Sequence, residues 1–237
     1  MSTLLSVDRI EKHFAGVTAL AGVSLEVDRR SITSVIGPNG SGKTSLMNVI
    51  TGFYPADAGA VALSGKRLTG LPPHRVARCG VARTFQHIRL FKELSVFDNV
   101  LVGAEQSSRS SARVRTQDIL RQAELAELND LRADQLSYGH QRRLEIARAV
   151  AAQPKLLILD EPAAGMNPTE KAGLERYLRA LRDDGLTLLL VEHDMGLVMG
   201  ISDAIVALNF GRVIAAGSPS AVRHAPAVIE AYLGTSQ

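Results

Sequence analysis

The sequence predicts an α/β protein built on a mostly parallel sheet. Three observations carry this. Short apolar segments of strand length occur at residues 32–36, 156–159, 186–191 and 204–208. The last three are separated by helical stretches, and such alternation implies parallel strands joined by crossover helices. The first runs straight into a glycine-rich turn and then a helix, an arrangement that puts a turn at the carboxyl end of a strand.

Taken in order, residues 4–7 and 23–27 alternate apolar and polar like half-exposed strands. Residues 32–36 lead into the glycine-rich turn, and residues 45–51 continue as a helix stopped at Gly52. Asp57, Ala58 and Gly59 signal a turn before a short strand at 60–63. Another short strand is expected at 81–85. Residues 95–152 read as mostly helical, interrupted by a Ser/Arg-rich stretch at 107–115 expected to be a flexible loop. The helical middle is read as a subdomain, residues 87–153. The remaining segments, 1–86 and 154–237, form a core with an N-terminal β part, so that residues 1–237 make a single domain. No internal repeat is present.

Bulk properties narrow the function. The 237 residues suit one large domain, and at 46% hydrophobic and 22% charged they can bury a sizeable core. A net charge of +3 is far from a nucleic-acid footprint, so no nucleic acid partner is expected. The lone Cys79 excludes an internal disulfide and agrees with a reducing compartment. Residues 1–14 lack the uninterrupted apolar run of a signal peptide. No segment approaches the ~18–20 uncharged apolar residues that span a bilayer. Membrane attachment is therefore expected only through a partner.

Gly37, Pro38, Asn39, Gly40, Ser41, Gly42, Lys43 and Thr44 match the Walker A pattern G-x-x-x-x-G-K-[ST], with a strand before and a helix, opening at Ser45, after. Glycines let backbone N–H groups turn inward around phosphate oxygens, and the helix N-terminus adds a favourable dipole. Lys43 would reach the β- and γ-phosphates of ATP, and the Thr44 hydroxyl would ligate Mg²⁺. Residues 155–161 are a Walker B candidate: an apolar strand ending in Asp160 and Glu161. Carboxylates at a strand's carboxyl end sit where ligands bind in open α/β sheets. Asp160 would hold Mg²⁺, and Glu161 would serve as general base for the attacking water.

Leu136, Ser137, Tyr138, Gly139, His140, Gln141 and Arg142 precede an Arg-rich amphipathic helix. Ser137 is suited to N-cap it. This heptad resembles the signature motif of the ABC ATPases, with His140 where glutamine is usual. The resemblance implies a P-loop NTPase fold of the ABC type, in which this helix belongs to a helical, signature-bearing subdomain. It also implies that Ser137, Gly139 and the neighbouring His140 face the γ-phosphate of ATP held by a second such subunit, either a copy of the chain or a paralogue. Three further residues fall in family order. Gln86 resembles the glutamine that contacts Mg²⁺ and feels a membrane subunit. His193 resembles the switch histidine on the γ-phosphate. Phe14 resembles the aromatic that stacks on adenine. Where the family has an Asp after Walker B, this chain has Asn167.

Residues 83–91, Tyr138, residues 161–168 and 192–203, and the tail 231–234 look like the ATPase subunits of branched-chain amino acid ABC importers. That resemblance implies an ATPase at the cytoplasmic face of the membrane. It would be held there peripherally by integral membrane permease subunits and served indirectly by a substrate-binding protein. Related importers of urea, amides or other amino acids use similar subunits. A soluble ABC protein without a transporter usually carries two nucleotide domains or a long coiled coil, and this chain has neither. A small-molecule kinase would lack the signature, and an inactive module would not keep Lys43, Asp160, Glu161 and His193 together.

Overall fold

The computed structural model describes residues 2–107 and 109–233. Its elements run, in chain order, β1 (Thr3–Phe14), β2 (Val17–Asp28), β3 (Ile32–Ile36), α1 (Lys43–Ile50), β4 (Ala58–Leu63), β5 (Lys66–Arg67), α2 (Pro73–Arg78), β6 (Val81–Arg83), α3 (Val96–Glu105), α4 (Ala112–Gln122), α5 (Tyr138–Ala151), β7 (Leu156–Asp160), α6 (Pro168–Asp183), β8 (Thr187–Val191), α7 (Met195–Ile201), β9 (Ala204–Asn209), β10 (Arg212–Gly217), α8 (Pro219–Arg223) and α9 (Pro226–Leu233).

Two sheets result. The larger has the order β10-β9-β3-β8-β7-β6, in which only β10 is antiparallel to its neighbour. Every residue of β3, β7 and β8 is buried. Strands covered on both faces must be apolar throughout, which is why they read as runs rather than alternations. Leu156, Leu157, Ile158 and Leu159 are each fully buried. At ~1.5–3 kcal/mol per such side chain, they fix where the strand ends and hence where Asp160 stands. The smaller sheet is antiparallel, order β2-β1-β4-β5. Its apolar residues share one core with α1 and with β3, β7 and β8. A second core joins α3, α5 and α6 to the other face of the parallel sheet.

Several expected boundaries move. The N-terminal strands run the full twelve residues of β1 and β2, well beyond 4–7 and 23–27. A register shift between Val7 and Ile10, with Arg9 at φ 43°, breaks the alternation in β1 and hides its length from a period-2 reading. Helix α1 starts at Lys43 rather than Ser45, because Gly42 in the left-handed region turns the chain straight into it. β4 begins at Ala58, inside the expected turn, with Gly59 at φ +88° packed against the Arg9 carbonyl. β6 ends at Arg83 rather than at residue 85, and β8 starts at Thr187 rather than Leu186. The stretch 107–115 is a loop only in part, since residues 112–115 already belong to α4. Ser108 of that stretch and Gly234 of the tail lie outside the described residues.

Candidate active site

The phosphate loop follows β3. Gly37 has φ +151°, and a Cβ there would lie 2.2 Å from the Leu208 carbonyl. Gly42 has φ +104°, and its Cβ would meet the Ala19 carbonyl at 2.7 Å. Both positions therefore admit only glycine. The β9–β10 hairpin props the loop: Gly211 N–H donates to the Ser41 carbonyl at 3.0 Å, and Ser41 N–H to the Pro38 carbonyl at 3.2 Å. Asn39 and Gly40 form the exposed lip. Lys43 is buried beneath it, and its Nζ donates to the carbonyls of Gly37 (2.7 Å) and Pro38 (2.9 Å) and to Ser41 Oγ (3.4 Å). Burial lowers the Lys43 pKa, opposed by the carboxylates of Glu161 and Asp160. No side chain caps α1. The first N–H groups of a helix so begun, together with its dipole, favour an anion. Thr44 is exposed and Ser45 half-buried on the first turn.

Asp160 closes β7 and accepts from Arg83 Nη2 at 2.7 Å. Arg83 Nη1 donates in turn to Asn48 Oδ1 on α1 at 2.7 Å, so Walker B is tied to the helix that follows Walker A. Glu161 has φ +46°. Non-glycine residues in that region carry of order 1–3 kcal/mol of strain and collect at functional sites. Its N–H is pinned to the Val191 carbonyl at 2.8 Å. Its Oε2 accepts from Gln86 Nε2 at 3.0 Å, and its Oε1 lies 3.8 Å from His193 Nδ1. The fold thus gathers Gln86, Glu161 and His193, residues far apart in sequence, around one carboxylate.

Glu192 belongs to this cluster but is not among the residues expected from sequence. It is buried, its Oε1 accepting from Ala163 N–H at 2.8 Å and its Oε2 from His193 N–H at 3.0 Å and Asp194 N–H at 3.3 Å. One carboxylate therefore joins the loop after β7 to the loop after β8. Its signal in the sequence is a carboxylate directly after an apolar strand, beside the candidate histidine. Asp194 caps α7 through Leu197 N–H, and the Lys171 ammonium hydrogen-bonded to it holds its carboxyl below the usual range.

The chemistry of the donors fits a magnesium ion. Thr44 and Asp160 offer hard oxygens, and among the described residues no cluster of three His, Cys, Asp or Glu could cage a metal. Mg²⁺ characteristically takes one or two protein carboxylates and completes its shell with water and substrate phosphates.

Ser137 is the N-cap of α5, its Oγ accepting from His140 N–H at 3.3 Å. Gly139 is buried, and its N–H donates to Glu170 Oε1 at 3.2 Å. A Cβ on Gly139 would stand 2.6 Å from that oxygen. The other oxygen of Glu170 accepts from Asn167 N–H at 3.0 Å, while Asn167 Oδ1 accepts from Glu170 N–H at 3.0 Å. Asn167 thus N-caps α6 in a capping box, a position where Asn and Asp serve equally well. His140 is half-buried in the first turn. Among the described residues, no hydrogen bond joins Ser137, Gly139 or His140 to residues 37–45, Asp160, Glu161 or His193.

Phe14 ends β1, partly exposed, with the Tyr54 ring edge-on at 5.1 Å and Lys12 Nζ 5.2 Å from its centroid. Lys12 also donates to Asp57 Oδ1 at 2.7 Å. That bond and the His13 N–H hold the Asp57 pKa down at about 2. The ring thus has two neighbours, and Phe14 remains 38% exposed.

A phosphate loop on a parallel sheet, facing strand-end carboxylates, defines a P-loop nucleoside-triphosphate-binding protein. Comparison with known proteins sharpens the class. Residues 20–164 match the family model described as ABC transporter, and residues 212–236 match that of the branched-chain amino acid ATP-binding cassette transporter. The chain is 45% identical to the high-affinity branched-chain amino acid transport ATP-binding protein LivG of Salmonella typhimurium, over 98% of each chain. It is 43% identical to BraF of Pseudomonas aeruginosa, which bears the same description, again over 98% of each. The ADP conformation of MJ1267, an ATP-binding cassette of an ABC transporter, superposes with a TM-score of 0.89 at 33% identity, covering 99% of this chain and 100% of that one. The chain belongs to the ABC transporter ATP-binding family.

Proposed function

We propose that this chain is the ATP-hydrolysing subunit of an importer for branched-chain amino acids. The observation that carries the catalytic part is the Glu161 carboxylate, strained in backbone and aimed by Gln86 and His193 beside the phosphate loop. The loop N–H groups and Lys43 bind the phosphates of ATP. Glu161 takes the proton of the attacking water, His193 bonds the γ-phosphate, and Phe14 stacks on adenine. Mg²⁺ held by Thr44 and Asp160, within reach of Gln86, would neutralise charge on the phosphate oxygens. Ser137 and Gly139 complete the site of a second subunit, the chain's own copy or a paralogue. A related cassette, MJ0796, is known as a dimer bound to ADP and phosphate, at 25% identity and a TM-score of 0.80.

The transport part rests on the kinship with LivG and BraF and on the match of the C-terminal residues. Among the described residues no helix is long and apolar enough to cross a membrane; on this reading separate permease subunits supply the path. A groove of about 1200 Å³ between the sheet edge and the helical segment offers that partner a seat, lined by Phe53, Phe85, Phe91, Arg78, Arg89 and Arg148. Aromatic and arginine side chains are what protein interfaces favour. Docking there would hold the chain peripherally at the cytoplasmic face, with a substrate-binding protein acting on the far side.

The test combines chemistry with transport. Glu161→Gln should still bind ATP while hydrolysis falls by about 100-fold, ~2.7 kcal/mol of barrier. Uptake of labelled leucine by cells relying on that variant should collapse. Normal hydrolysis would move the base role to His193, and normal leucine uptake in cells lacking the chain would contradict the substrate assignment.

A further inference from the structure

We propose that Arg142, paired with Glu145, is a positioning residue that couples the signature helix to the Glu161 carboxylate by way of Gln86. The inference rests on the reading of Glu161 as general base and adds two residues to the machinery that aims it.

The geometry is a short chain of bonds. β6 ends at Arg83 and Thr84 N–H still bonds the Ile158 carbonyl of β7 at 3.0 Å, so the chain leaves the larger sheet at Phe85 and meets α5. Arg142 sits one turn into α5, with its side chain 0% exposed. Its Nη1 donates to the Phe85 carbonyl at 2.7 Å and to Glu145 Oε2 at 2.8 Å. Its Nη2 donates to the Gln86 carbonyl at 2.6 Å. The other Glu145 oxygen accepts from Arg89 N–H at 2.9 Å, and Arg148 donates to the Arg89 carbonyl. Three side chains on one helix face thus grip both ends of the segment 85–89. The Gln86 side chain then reaches across to Glu161. Two residues, Arg142 and Gln86, separate the helix that starts at Ser137 from the catalytic carboxylate.

Stability alone does not account for this arrangement. A buried ion pair contributes little compared with apolar side chains of similar volume. Arg142 Nε, moreover, is buried with no hydrogen-bond partner among the described residues. What the guanidinium supplies is geometry: a planar fork spans two consecutive carbonyls and fixes the peptide between them, as a lysine cannot. Segment 85–89 must therefore follow α5 when α5 shifts. Gln86, part of that segment, carries the shift to Glu161. Phe85, Arg89, Glu145 and Arg148 also line the groove described above, so an occupant of that groove presses on the same parts.

The experiment is a mutant cycle on the full chain. Arg142→Met with Glu145→Gln removes the charge pair together and keeps an acceptor for Arg89 N–H. Turnover at saturating MgATP should fall about tenfold with ATP affinity unchanged within about twofold, and Gln86→Ala should do the same. Combining all three changes should cost no more than about twofold beyond the worse of the two, because residues acting in series are not additive. Losses that multiply, to about 100-fold, would overturn the proposal, as would undiminished turnover in the folded double variant. Thermal unfolding checks folding. Should the double variant not fold, Arg142→Lys, which keeps a charge for Glu145 but not the fork, enters the same cycle with the same readings. Glu161→Gln run in parallel separates the two failures. Turnover retained there removes the general base, whereas multiplying losses with Glu161→Gln dead remove only the coupling through Arg142.

Discussion

The strand ends and the start of α5 both offer N–H groups to an anion, yet they are held in opposite ways. Around the phosphate loop, glycines meet backbone carbonyls, Lys43 is buried, and Asp160 and Glu161 are placed by a fully buried strand. That half is held by contacts within one chain. At α5, Ser137 is exposed and Gly139 gives its N–H to a carboxylate of the same chain, Glu170. The lesson is that the two halves do different jobs. On the proposed reading the first binds nucleotide by itself, and the second is completed by an anion from another subunit, its Gly139 N–H being held meanwhile by Glu170.

This contrast is open to direct attack. The largest effects should come from one mutation in each half. Lys43→Ala removes the buried ammonium at the loop, so equilibrium binding should show ATP affinity lost together with turnover. Ser137→Arg puts a long cation at the start of α5. Turnover should vanish as fully, while ATP affinity of the isolated chain stays within about twofold, because the phosphate loop is untouched. Equal loss of ATP binding in both variants would erase the distinction between the halves.

A smaller effect should follow from Glu170→Gln. Glutamine preserves the capping box of α6. It removes a negative charge from the Gly139 N–H, the group that receives the partner's phosphate on the proposed reading. In a Glu161→Gln background, ATP-driven self-association followed by size exclusion should tighten about fivefold, near 1 kcal/mol. Association that is unchanged or weaker would show that Glu170 does not compete for the Gly139 N–H.

The halves also differ in how much the sequence revealed. Walker A was legible because its backbone demands glycine at fixed places, and the strands before it and at Walker B because burial on both faces leaves only apolar residues. The signature heptad announced the helix start at Ser137 through its capping chemistry. Arg83, Arg142 and Glu170 were not legible as site residues, since each reaches a site partner 31 to 77 positions away. Only the fold creates those pairs. β10 escaped because an antiparallel edge strand, half-buried through much of its length, carries no clean pattern. The start of α4 escaped because its first turn, Ala112 to Arg115, continues the Ser/Arg-rich composition of the preceding loop.

The central claim is that the loop of one chain and the signature of another form each site. It is tested most directly by mixing two inactive proteins, Lys43→Ala and Ser137→Arg, and measuring phosphate release. In a mixed dimer both defects fall in one site, and the other combines an intact phosphate loop with an intact signature. Where the natural pair includes a paralogue, one mutation is placed on each chain of that pair. The account expects part of the activity to return on mixing. No return, with mixed dimers shown to form, would contradict it.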